Sequence, residues 1–154
     1  CYLMTATSHA IVGAAIASKI PDLRIALPLA FLSHFVLDKL PHWDVMTEAD
    51  HNDHKAIFIK SSLDVFLGLI SVFIFANLTN STNWTNLFLG SFVAQFPDWL
   101  EAPYFLGFKI KIFSFNYRFQ HWIHDIWFDS RLPAPWGIIT QLVVVTLFIL
   151  WSLI

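Results

Sequence analysis

From Trp136 to Ile154 the chain carries no charged residue, and Trp136-Gly137-Ile138-Ile139-Thr140-Gln141-Leu142 runs on through apolar sequence to the last residue. A stretch of about 20 such residues matches the hydrocarbon thickness of a bilayer. Trp136 and Trp151, near its ends, suit the interfacial depth at which indoles settle. Its C-terminal place makes it a membrane span rather than a cleaved signal peptide. The remainder agrees: 56% of the residues are hydrophobic, 17% aromatic and 13% charged, a balance too apolar for an ordinary soluble domain. A length of 154 residues implies a single domain.

Apolar runs set against helix breakers divide the chain into five helical segments. The first spans about Ser8 to Ile20 and ends at Pro21; the second spans about Leu23 to Leu40, with Pro28 in its early turns and Pro41 closing it. A polar loop from His42 to Lys55 precedes the third helix, about Ala56 to Asn77. The charge-free turn Asn77-Leu78-Thr79-Asn80-Ser81-Thr82-Asn83 leads to the fourth, about Trp84 to Leu100. Its three N-x-[ST] triplets are read as turn chemistry, because Asn, Ser and Thr dominate such connections. Glu101 to Pro135 is aromatic and basic and is expected to lie along the membrane surface. Trp136 to Ile154 is the fifth helix. The fold class is therefore all-α, a polytopic membrane bundle of about five helices with an interfacial aromatic segment. Leu40-Pro41-His42-Trp43-Asp44 and Phe96-Pro97-Asp98-Trp99-Leu100 close helices two and four in similar ways, a faint echo of two related hairpins.

Charge orients such a bundle. Lys39, Lys55, Lys60, Lys109, Lys111, Arg118 and Arg131 fall in or beside the loops after helices two and four, Lys19 and Arg24 fall on the other side, and the loop between helices three and four has none. The positive-inside rule then places the N-terminus in the cytoplasm and the C-terminus outside. The net charge of −2 and the lack of any Lys/Arg run exclude a phosphate-binding stripe, so no nucleic-acid partner is expected. Cys1 is the single cysteine, which allows neither an intramolecular disulfide nor a CxxC metal motif. Met4-Thr5-Ala6-Thr7-Ser8-His9 reads as a natural start, with Cys1 to Leu3 an upstream extension; a lipoprotein beginning at Cys1 is the other reading.

The ionisable residues cluster at one end of these helices. His9 starts helix one; His34 and Asp38 occupy the last turns of helix two, with His42 and Asp44 just beyond; Asp64 lies early in helix three, Asp98 at the end of helix four, and His121, His124 and Asp125 follow. His34 and Asp38 stand at i,i+4 and share one helix face, as do His121 and Asp125 if their segment is helical. Such groups are costly in an apolar medium unless they pair or bind a cation. Imidazole with carboxylate and no cysteine favours zinc, manganese or iron over a structural Cys-rich site. The donors exceed what one ion needs, so a centre with more than one ion is open.

Blander explanations stand beside this one. Asp64 alone is equally a buried hydrogen-bonding carboxylate, His9 alone a helix cap, and Asp44 a loop carboxylate, while His51, Asp53 and His54 read as solvated. For His34, Asp38, Asp98, His121 and His124 the convergence of separate segments favours metal.

The run Thr7-Ser8-His9 before Ala10-Ile11-Val12-Gly13, the Ser33-His34 and Asp38 motif, Phe96-Pro97-Asp98 and the His121 and His124 pair resemble the membrane-bound predicted metal-dependent hydrolases. Those are small multi-helix bacterial inner-membrane proteins, with a distant similarity of ligand pattern to zinc-dependent phospholipase C. The resemblance covers most of the chain up to about Asp125. It implies His9, His34, Asp38, Asp98, His121 and His124 as ligands; His42 and Asp64 complete the candidate set. Asp44 or Asp125 would be the general base, and Lys109, Lys111 and Arg118 would hold a lipid phosphate or else anchor the topology. The expected function is hydrolysis of a phosphoester or related bond in a lipid-soluble substrate at the cytoplasmic face. The rivals are an ion- or proton-coupled transporter using the His/Asp cluster and a non-catalytic membrane scaffold.

Overall fold

The computed structural model describes residues 4–43, 54–105, 107–125 and 132–154, apart from the side chains of His54, Ile57, Phe105, His124 and Asp125. The described residues form six α-helices and no strand: α1 (Ala6–Lys19), α2 (Leu23–Lys39), α3 (His54–Leu78), α4 (Trp84–Phe105), α5 (Lys111–Asp125) and α6 (Trp136–Leu153). All-α architecture is as expected, with one helix more than the sequence implies.

The addition is α5. Sequence reading ends the fourth helix at about Leu100 and leaves 101–135 as an interfacial surface segment with no helix assigned. Instead α4 continues through Pro97 and Pro103, and a separate helix follows. Proline inside a helix removes a hydrogen bond and costs about 3 kcal/mol, so tertiary contacts must compensate. The carbonyls so freed are those of Val93 and Trp99, and the contacts lie beside them: Asn116 and Gln120, one turn apart on α5, both donate side-chain amides to the Pro97 carbonyl, at 2.9 and 3.0 Å, and so tie α5 to this part of α4. The outward face of α5 carries Ile112, Phe115 and Trp122 beside exposed Lys111 and Arg118.

At the centre stands α1, which packs against α2, α3, α4 and α6. Its core positions are mostly small, and Ala10, Ala14, Ala15 and Ala17 are buried against Val72, Phe75, Ala76 and Leu87 on one side and Ala26 and Leu37 on another. Small side chains let helix backbones approach closely, as in membrane bundles. The nearest approach joins α1 to α4. A Cβ on Gly13 would overlap the Gly90 carbonyl oxygen, and a Cβ on Gly90 would overlap that of Gly13. Ala17 and Ala94, each four residues further along, border the same crossing. The contacts run Thr7 with Asp64 through Ala10 with Gly68 along α3, and in reverse order, Gly13 with Gly90 and Ala94, along α4. α1 is thus parallel to α3 and antiparallel to α4, and the first turns of α1 meet the end of α2 and the second half of α4.

Two of the helices, Phe58–Leu78 and Trp136–Leu153, are long and apolar enough to cross a membrane, and only 17% of each is buried. A core helix of a water-soluble domain would be mostly buried, whereas these present Phe58, Phe66, Leu67, Phe73, Leu142, Leu147 and their neighbours outward. By length and composition, two of the five expected spans are thus found among the described residues. α1 is too short at 14 residues, about 21 Å, and in α2 and α4, though the helices are continuous, proline and polar residues break the apolar run.

The far end of the bundle is simpler. Asp22 caps α2, its Oδ1 accepting from the Arg24 backbone N–H at 2.9 Å. The Arg24 guanidinium, bonded to the same carboxylate, holds its pKa below the usual carboxylate range. The turn between α3 and α4 places Asn80 at φ 48°, a left-handed position that Asn tolerates better than most residues. That agrees with reading its Asn-rich sequence as turn chemistry.

Candidate metal centre

Three helices deliver the centre. His9 comes from the second turn of α1, His34 and Asp38 from the last turns of α2, and Asp98 from α4 just past Pro97. His9, His34 and Asp38 are at most 1% exposed, and the Asp98 side chain is 15% exposed. Among the described residues, His9, His34 and Asp98 are the group able to hold an ion, with ligand atoms all within 4.8 Å of one another.

Asp38 ties the group together. Its Oδ1 accepts from His9 Nε2 at 3.0 Å and from the Met4 backbone N–H at 2.9 Å, and its Oδ2 lies 3.2 Å from His34 Nε2. The two imidazoles stack with centroids 4.3 Å apart. With Nε2–H given to Asp38, a neutral His9 carries a lone pair on Nδ1. That atom is buried and has no hydrogen-bond partner among the described residues.

His34 is the more telling ring. Its Nδ1 donates to the Ala94 carbonyl at 2.9 Å, a bond that fixes the tautomer because a carbonyl only accepts. In the neutral ring Nε2 then has a lone pair, yet it faces Asp38 Oδ2 at 3.2 Å, Asp98 Oδ1 at 3.3 Å and Gln120 Oε1 at 3.1 Å. A lone pair among three oxygens is repulsive. A cation at that point turns every one of these contacts favourable; a proton on Nε2 makes an imidazolium that attracts both carboxylates but gives its N–H to one oxygen at a time. The unpartnered His9 nitrogen and the oxygen-rich side of His34 are what a site for a divalent ion requires, and two imidazoles with a carboxylate suit zinc. Asp38 Oδ1 on His9 Nε2 matches the carboxylate–histidine support common behind metal ligands, and on His34 the Ala94 carbonyl at Nδ1 takes that part.

The other sequence candidates are placed elsewhere. Both oxygens of Asp64 serve the start of α1: they accept from Ala6 N at 2.6 Å, Thr7 N at 3.2 Å and Thr7 Oγ1 at 2.7 Å. This caps α1 from a neighbouring helix, in place of Thr5, which makes no side-chain cap. Asp64→Ala is expected to lower stability by about 1–2 kcal/mol, the usual effect of losing a cap, and to leave ion content unchanged. Thermal melting with elemental analysis checks both, and loss of the ion would make Asp64 a ligand after all. His42 is buried and donates Nδ1–H to the Leu40 carbonyl at 2.7 Å. His121 donates Nδ1–H to the Tyr117 carbonyl at 3.0 Å, with Glu101 Oε1 at 3.9 Å. Neither belongs to the group of three. His124 and Asp125 have side chains outside the described residues, as Asp44 is altogether.

Lys109 sits with Nζ 5.9 Å from the Tyr104 ring centre, and that ring stacks on Tyr117, whose phenol pKa is raised, chiefly by burial. Lys111 and Arg118 are exposed on α5.

Three residues escaped sequence reasoning. Glu101 is 1% exposed and stands one turn beyond Asp98 on α4, a spacing that could have flagged it. Gln120, equally buried, precedes His121 directly. Gln141, the one amide in the C-terminal apolar run, accepts from Thr5 Oγ1 at 2.7 Å and Ser8 Oγ at 3.1 Å and donates to the Trp43 carbonyl, clasping α6 to the start of α1. No protein-family model, curated protein or solved structure matches this chain.

Proposed function

We propose that this chain is a membrane-embedded, metal-dependent hydrolase in which His9, His34 and Asp98 hold a divalent ion, zinc in the simplest case, for cleavage of a phosphoester or related bond in a lipid-soluble substrate. The observation that carries the metal reading is the His34 ring, with Nδ1 committed to Ala94 and three oxygens around Nε2. The hydrolytic chemistry is what the family resemblance implies. Such an ion supplies a Lewis acid able to polarise a carbonyl or phosphoryl oxygen.

The chain's own residues do the rest. Asp38 holds the His9 imidazole and the Ala94 carbonyl that of His34, and the near-complete burial of both rings keeps bulk water from them. Asp64, level with the start of α1, lies six residues into the Phe58–Leu78 span, about 9 Å along the helix. Gln141, at the same level on α6, lies five residues into its span, about 8 Å. If both helices cross, the site lies below the headgroup region, which favours a lipid-soluble substrate. Exposed Lys111 and Arg118 beside Ile112, Phe115 and Trp122 suit an interfacial helix that holds anionic headgroups. Asp44 or Asp125 takes the part of general base. The lysine and arginine distribution orients the N-terminus and the site to the cytoplasmic face, and the resemblance indicates a bacterial inner membrane.

The test reconstitutes protein purified without chelator into vesicles of phosphatidylglycerol and follows release of headgroup or phosphate with and without a strong chelator. Turnover that stops on chelation and returns with zinc is the expected result. Protein that holds no ion and melts at the same temperature before and after chelation would make the cluster a hydrogen-bonded polar network and remove the hydrolase reading with it.

A further inference from the structure

Gln120 comes from α5, outside the three helices that supply His9, His34 and Asp98, and it is 1% exposed. Its amide nitrogen donates to the Pro97 carbonyl and to Glu101 Oε2, each at 3.0 Å. A backbone carbonyl only accepts, so the amide has a single satisfied orientation. Its oxygen is thereby turned to His34 Nε2, at 3.1 Å.

Ligand atoms around a tetrahedral ion with bonds of about 2.0–2.1 Å stand about 3.3 Å apart. Gln120 Oε1 and Asp98 Oδ1, at 3.1 and 3.3 Å from His34 Nε2, have that spacing, as has Asp38 Oδ2 at 3.2 Å. A hydrogen bond has a similar length, but one Nε2–H cannot serve Gln120, Asp38 and Asp98 together. A shared cation can serve several. A neutral amide oxygen also adds a donor without adding a further buried charge, in a pocket that already contains Asp38, Asp98 and Glu101.

We infer that Gln120 Oε1 is an oxygen ligand of the ion held by His9, His34 and Asp98, and that Glu101 is a positioning residue that keeps the Gln120 amide turned toward it. This rests on the metal-centre reading above and adds a fourth element of structure, α5, to the site. The ion then fastens α5 onto the bundle, so ion binding and the seating of that helix are one event.

The experiment uses the full chain in detergent, with zinc affinity measured by competition against a chelating dye and the ligand field read from the absorption of Co²⁺. Gln120→Leu is expected to weaken zinc binding about tenfold or more, given the losses that even supporting residues of metal sites produce, and to change the Co²⁺ spectrum. Gln120→His, which substitutes a nitrogen donor, should bind zinc within a few fold of wild type while altering the spectrum. Glu101→Gln retains an oxygen that accepts from the Gln120 amide and should stay near wild type; Glu101→Leu should lose affinity.

Melting of each ion-free variant against ion-free wild type shows whether it is folded. Should Gln120→Leu not fold, Gln120→His decides: an altered Co²⁺ spectrum supports the assignment and an unchanged one overturns it. Folded Gln120→Leu that binds zinc as wild type does, with the wild-type spectrum, also overturns it and leaves the His9, His34 and Asp98 centre standing. Wild type that binds neither ion removes the centre itself.

Discussion

Replacing His34 by alanine is expected to strip the purified protein of its ion and to lower its melting temperature by roughly 6–20 °C. The size follows from what the imidazole separates. Without it, Asp38 and Asp98 share a dry pocket with no cation between them, and breaking a buried pair by removing one partner costs about 3–5 kcal/mol. For a chain of this length each kcal/mol corresponds to about 2–4 °C. Asp98→Ala should lose the ion as well, although it removes a residue on a different helix, because the two side chains lie 3.3 Å apart at the same centre. Asn77→Ala, at an exposed position at the other end of α3, should do neither. The checks are elemental analysis and thermal melting in detergent. Ion-free wild type should approach the melting temperature of the variants, since binding and folding are coupled in such a site. If His34→Ala retained its ion and melted like Asn77→Ala, neither the site nor its contribution to stability would survive.

An equally large effect is expected from a single methyl group at the α1–α4 crossing. In Gly13→Ala the added Cβ meets the backbone of Gly90, which has no rotamer through which to yield, so the helices must separate. Overpacking against side chains costs about 1–3 kcal/mol, and a backbone obstacle belongs at or above the top of that range. The displacement also reaches the centre: His9 is one turn from Gly13, and Asp98 is two turns beyond Gly90 on the opposing helix. Loss of ion binding should therefore accompany loss of stability, without any change to a ligand. Gly68→Ala is the contrast. Its Cβ would stand 3.2 Å from that of Ala10 and 3.3 Å from the Thr7 Cα, rather than overlapping a carbonyl oxygen as on Gly13, so a shift of a few tenths of an ångström relieves it, and Ala gains about 0.8–1 kcal/mol over Gly in helix propensity. The two substitutions should differ clearly in melting temperature, and equal behaviour would mean that the Gly13–Gly90 approach does not hold the bundle together.

Much of this was legible in the chain. The breakers Pro21, Pro41 and the Asn77–Asn83 turn separate the first four helices close to where they end or begin, because helix termination is a local matter of missing donors and turn-forming side chains. The convergence of His9, His34, Asp38 and Asp98 at one end also followed from sequence, since antiparallel neighbours bring the start of one helix to the end of the next. Asp64 fell short of that logic. Sequence puts it at the right level, but only packing shows that its oxygens face the free N–H groups of α1 rather than the centre.

Pro97 and Pro103 mislead in the other direction. Read locally they end a helix, whereas α4 continues past both, and α5, bound to it at the Pro97 carbonyl by the amides of Asn116 and Gln120, packs against it there. What the sequence determined by itself was an all-helical, apolar chain with its ionisable groups gathered at one end, because hydrophobic length and residue spacing are properties of single segments. Which of those groups face one another was decided by the tertiary structure alone. It depends on how closely α1 and α4 approach at Gly13 and Gly90 and on where α5 lies, and such distances between segments are set by packing that no single segment encodes.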